Sequence, residues 1–87
     1  MQSNTLIKPK AMARPLHKIA QEIQKDWKKP YFGAVPYINA MTALDSIEDN
    51  YYFDTARSIV SYFLANANTW RGETAKRVKA ELKAMLG

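Results

Sequence analysis

The chain has no cysteine, one histidine, three glycines and no apolar run approaching the ~18 residues of a membrane-spanning helix. Without cysteine there is no disulfide, no thiolate nucleophile and no thiolate metal site. The single histidine, His17, lies beside Lys18 and close to Arg14. A general base wants an orienting carboxylate, and none is placed locally. His17 therefore reads as a surface or edge residue of a helix. The glycines are too few for a phosphate loop: "WRGET", residues 70–74, lacks the second glycine and the Lys-Ser/Thr pair. The acidic "EDNYYFD", residues 48–54, lacks the alternating acids, central glycine and closing Glu of a calcium loop. Lys8, Lys10 and Arg14 near the start are followed by no apolar block, so they do not form a secretory signal. No run alternates as a strand would. No catalytic residue, metal ligand or cofactor is assigned, and the expectation is a non-enzymatic, cytoplasmic protein.

What is present is charge, unevenly spread. Residues 1–29 hold seven Lys/Arg against two acids. Residues 30–56 hold four acids, Asp45, Glu48, Asp49 and Asp54, and no Lys/Arg. Residues 57–87 hold six Lys/Arg against two acids, and the chain sums to +5. Two basic ends flank an acidic middle. If the ends meet in the fold, their surface attracts phosphates or acidic proteins. If they meet the middle instead, the charges neutralise one another.

Helical periodicity dominates from residue 14 onward. Pro15 suits a first helical position, and "PLHKIAQEIQKDWKK" puts Leu16, Ile19, Ala20, Ile23 and Trp27 on one face before Pro30 stops it. "PYFGAVP" is a connector whose Tyr31 and Phe32 are expected to pack over the core. Pro36 opens a second helix with Tyr37, Ala40, Met41, Leu44 and Ile47 inward. "DSIEDNYYFD" reads as an acidic turn ending in Asp54, a helix cap, with Phe53 as a staple. A third helix buries Ala56, Ile59, Val60, Phe63 and Ala67. "NANT" breaks it, with Thr69 as the next cap. A last helix, Trp70 to about Leu86, buries Ala75, Val78, Leu82 and Met85. Gly72 there marks either a close backbone approach or a late helix start. The expected architecture is all-α: a flexible tail over residues 1–13, then one four-helix domain over residues 14–87, up-and-down or orthogonal.

Three binding surfaces can be drawn on this frame. The first is basic, for nucleic acid: Lys25, Lys28 and Lys29 from the first helix with Arg71, Lys76, Arg77, Lys79 and Lys83 from the last. Lys76, Lys79 and Lys83 share one helical stripe, which can track phosphates or be an ordinary solvated face. A helix-turn-helix over the last two helices lacks its turn glycine, and its reading helix would run long. The second surface is aromatic, for a protein partner: Tyr31, Tyr51, Tyr52 and Trp70, with Arg71. Trp70 serves there only if it is exposed rather than packed in the core. The third is a pocket of Tyr, Trp and Arg for an anionic signalling nucleotide. Self-association is open to a domain this small.

Three stretches, "MARPLHKIAQEIQKDW", "VPYINAMTALDSIEDNYYFD" and "FDTARSIVSYFLANANTWRGETAKRVKAELKAML", together resemble small accessory proteins of tailed bacteriophages, particularly phages of actinobacteria. The resemblance runs from Met12 to Leu86. It implies expression in a bacterial cytoplasm during infection and a non-essential or accessory task; together with the aromatic surface it makes an inhibitor of a host or anti-phage defence factor the alternative to nucleic-acid binding. It supplies no catalytic residues.

Overall fold

In the computed structural model, which describes residues 13–87, four α-helices surround one core: α1 (Leu16–Asp26), α2 (Val35–Met41), α3 (Ala56–Ala65) and α4 (Glu73–Leu86). The fold is not all-α, as the sequence pattern suggested. Asn50–Tyr51 (β1) pairs antiparallel with Asp54–Thr55 (β2), closing a hairpin between α2 and α3. The hairpin overlaps the stretch read as an acidic turn, residues 45–54, and takes in Thr55, read as the start of the third helix. Each strand is two residues long, too short for alternation to register. The expected tail, residues 1–13, lies outside the described residues except for Ala13.

The core stripes follow the helical spacing. Leu16, Ile19, Ala20 and Ile23 of α1 are fully buried, as are Val60 and Phe63 of α3 and Val78 and Leu82 of α4. Ile38 of α2 is buried beside Ala40 and Met41, although it was not counted in the predicted stripe. The helix ends differ more. Pro15 precedes α1 rather than opening it, and the free N–H groups of Leu16 and His17 donate to the carbonyls of Asp45 and Leu44 at 2.8 and 2.9 Å. The loop after α2 thus supplies acceptors for donors that every helix start leaves over. Trp27 follows α1 in non-helical geometry but is still buried. A 3₁₀ turn, Phe32–Ala34, leads into α2. Thr55, not Asp54, caps α3: its side chain accepts from the Ser58 N–H. Phe53 staples nothing, being fully exposed. α4 starts three residues later than the pattern suggested, because Gly72 at φ 112° holds a backbone conformation a helix cannot continue through.

Neighbouring helices run antiparallel. Arg14, just before α1, reaches Glu81 late in α4, while Asp26 at the end of α1 bonds Trp70 ahead of α4. Tyr37 at the start of α2 meets Tyr62 near the end of α3, their ring centroids 5.5 Å apart. Arg57 at the start of α3 donates to the carbonyl of Leu86 at the end of α4. α1 packs on α2 and α4, and α3 on α2 and α4. One end of the molecule therefore holds the end of α1, the start of α2, the end of α3 and the approach to α4. The opposite end holds the hairpin and both described termini.

Candidate functional site

At the first end three large rings lock the elements together. Trp27 stacks on Trp70 with centroids 5.7 Å apart and planes 12° apart, and Phe63 meets both edge-on. Trp70 is 2% exposed. Its Nε1 donates to Asp26 Oδ2 at 2.8 Å, and its carbonyl accepts from Lys79 Nζ at 2.6 Å. The proposed partner-binding role for Trp70 is thereby corrected. A ring packed on two others and hydrogen-bonded at its one polar atom is an anchor for the α3–α4 connection. Arg71, the next residue, is exposed.

Around this anchor the exposed side chains are basic and aromatic. Lys25, Lys28 and Lys29 lie at the end of α1 and just after it, all exposed. Tyr31 and Phe32 follow after Pro30, their ring centroids 4.8 Å apart. The sequence pattern placed both over the core. Instead Phe32 is 78% exposed and Tyr31 nearly half exposed. Tyr62, also half exposed, belongs to the same end. The reason Tyr31 is held in place is Gly33. A Cβ there would sit 2.6 Å from Tyr31 Cε2 and 2.7 Å from Asn66 Oδ1, so the bare backbone lets ring and amide close over it. Asp26 and Glu73 are the acids at this end. Asp26 is engaged by Trp70, and Glu73 sits in the first turn of α4, where a helix favours negative charge.

The remaining basic residues divide by partner. Arg77 pairs with Glu22, which also lies 2.9 Å from Arg14, and Arg14 forms two parallel bonds to Glu81. This four-member network closes the α1–α4 seam. Its two guanidinium groups, Arg77 first, hold the Glu22 carboxyl below the usual range, against the opposing effect of burial. Arg77 is therefore committed within the molecule. Lys79 is half-buried against the Trp70 carbonyl, and burial, then the nearby Arg71 and Lys83, lower its pKa. Arg71, Lys79 and Lys83 thus share one positive field. Lys76 and Lys83 are exposed on α4. Lys28 turns toward α2, on the rim of a shallow groove of about 190 Å³ walled by Trp27, Pro30, Val35 and Ile38. The eight basic residues do not make one sheet of charge. Lys25, Lys28, Lys29 and Arg71 gather at one end, and Lys83 lies toward the other.

The opposite end carries the other aromatics. Tyr51 packs partly on the core, while Tyr52 and Phe53 form the hairpin tip and are 86% and 105% exposed. Tyr52 has φ 55°, the conformation for which two-residue hairpin loops usually recruit glycine. The acids lie nearby along the chain. Asp49 Oδ2 accepts from the N–H groups of Ser46 and Asp45, which holds its carboxyl below the usual range. Glu48 pairs with Arg57. Asp45 Oδ1 lies 3.3 Å from His17 Nε2. The carboxylate that seemed missing beside His17 thus comes from far along the chain.

A wider groove, about 590 Å³, runs along this end between Arg14, Ile47, Arg57, Glu81 and Met85. No Tyr or Trp lines it, and both arginines are paired with carboxylates. It lacks the stacking surface that the nucleotide-pocket reading needs. Among the described residues no three His, Cys, Asp or Glu side chains gather to hold a metal ion, and no helix is long and apolar enough to cross a membrane. α3 and α4 are joined by a seven-residue connection of turns, residues 66–72, and α4 packs antiparallel on both α1 and α3. That is not the short-turn geometry of a helix-turn-helix. The chain matches no protein-family model, no curated protein and no solved structure.

Proposed function

We propose that this is a non-catalytic nucleic-acid-binding protein that takes single strands across its basic, aromatic end. One observation carries the reading: Tyr31 and Phe32 stand exposed one proline beyond Lys28 and Lys29, at the end that also bears Lys25 and Arg71. Cations that follow a backbone, beside rings on which bases can stack, are the recurrent chemistry of sequence-tolerant single-strand binding. A duplex offers phosphates but keeps its bases stacked internally, so it uses only half of this surface. The resemblance to phage accessory proteins suits such a role in an infected bacterial cytoplasm.

The test is fluorescence anisotropy with labelled single-stranded and duplex oligonucleotides. Single strands should bind more tightly. With about four phosphate contacts, single-strand affinity should fall about fifty-fold between about 50 and about 200 mM salt. Phe32→Ser should weaken single-strand binding about tenfold and leave duplex binding nearly unchanged. Absence of single-strand binding at low salt would sink the proposal.

A further inference from the structure

The hairpin tip is not used by that surface. Phe53 is wholly solvent-exposed, and Tyr52 is held at φ 55° with its ring 4.8 Å from that of Tyr51. A backbone strained at a non-glycine residue, in order to project two rings into water, points to a contact that repays it. The tip lies in the stretch of chain that has acids and no Lys/Arg, with Asp54 exposed beside Phe53. Its complement would be an apolar socket with a basic rim.

The molecule carries such a socket at its other end. The groove of about 190 Å³ between α1 and α2 has apolar walls of Trp27, Pro30, Val35 and Ile38, and Gln24, Lys28 and Asn39 are its polar lining. It is smaller than the ~300 Å³ at which small-molecule pockets begin, and suits a single side chain. We infer that copies of this chain associate head to tail, the Phe53 ring of one copy entering the Lys28-rimmed groove of the next. Knob and socket are different surfaces at opposite ends, so an end-to-end contact is heterologous, and its repetition builds a ring or an open chain of molecules. The inference borrows the basic end as a surface and does not depend on its affinity for nucleic acid.

Sedimentation velocity across a concentration series tests it. The wild-type mass should rise above 9.9 kDa with concentration and fall back as salt is added. Phe53→Ser and Lys28→Glu should each remain monomeric alone. Mixed one to one, they should form a dimer and stop there, because Phe53→Ser keeps a socket and Lys28→Glu keeps a knob. A wild type that stays monomeric throughout, a mixture that does not pair, or assembly that survives both substitutions overturns it. Phe53 is fully exposed, so its replacement leaves the core intact, and circular dichroism checks this. Oligonucleotide binding measured on Phe53→Ser is a separate readout, so the two proposals fail separately.

Discussion

At the scale of single residues, two positions hold free energy that pH or substitution can release. Tyr52 occupies the left-handed region, which costs a non-glycine residue about 1 kcal/mol or more. Asn tolerates that region. Tyr52→Asn should relieve about 1 kcal/mol and lose about 0.5 kcal/mol of edge contact with Tyr51, a net gain seen as a melting temperature higher by about 2–4 °C. A lower melting temperature would show that the ring, not the backbone, decides this site. Glu22 is the second position. Arg77 and Arg14 depress its folded pKa, so the contribution is complete at neutral pH. Below the unfolded carboxyl value the unfolded chain takes up protons first, and stability declines until pH passes through the folded value. Glu22→Gln should therefore cost about 1 kcal/mol at pH 7, with the difference between the melting curves closing as pH falls below the usual carboxylate range. A pH-independent difference would mean that the network is held by packing rather than charge.

At the scale of elements, the aromatic node decides how α4 is seated. Trp70→Phe keeps a ring between Trp27 and Phe63 but loses the Asp26 bond, and should cost about 1–2 kcal/mol in urea unfolding. Trp70→Ala should cost about 3–5 kcal/mol. If both cost the same, the ring contributes less than the geometry implies. The helices were legible in the sequence because their signal is local: Leu16, Ile19, Ala20 and Ile23 repeat at the helical interval whatever they pack against. Trp70 could not be placed that way. It sits outside α4, fixed by Gly72 two residues on and by partners from two other helices. The hairpin was equally silent, with two paired residues per strand and a tyrosine where its turn type usually carries glycine. Tyr31 and Phe32 were misplaced because hydrophobicity argues for burial. Nothing local shows that the 3₁₀ turn leaves Phe32 outside.

At the scale of the molecule, antiparallel order turns a pattern along the chain into a pattern in space. The cations at the end of α1 and ahead of α4 are more than forty residues apart, and alternating direction brings them to one end. Charge blocks in the sequence left open whether the basic ends meet each other or the acidic middle, and the pairing of Arg77 with Glu22 was a matter of tertiary register. The division has a measurable consequence. Arg71→Ala should weaken oligonucleotide binding and reduce the salt slope by about 0.7, with the melting temperature unchanged. Arg77→Ala should lower the melting temperature and leave the slope alone, since its charge is already spent on Glu22. The reverse pattern would place the nucleic-acid surface along the seam instead of at the end.

The same alternation brings the two ends of the described residues, Ala13 and Gly87, to the border of one groove. With residues 1–12 removed, a short bridge between them would allow circular permutation, with new termini opened in the connector at Lys29 and Pro30. Tandem copies fused through that bridge would be joined at their hairpin ends and would present two basic ends outward. Such a fusion should gain avidity for a long single strand if its two outward ends can reach the strand together.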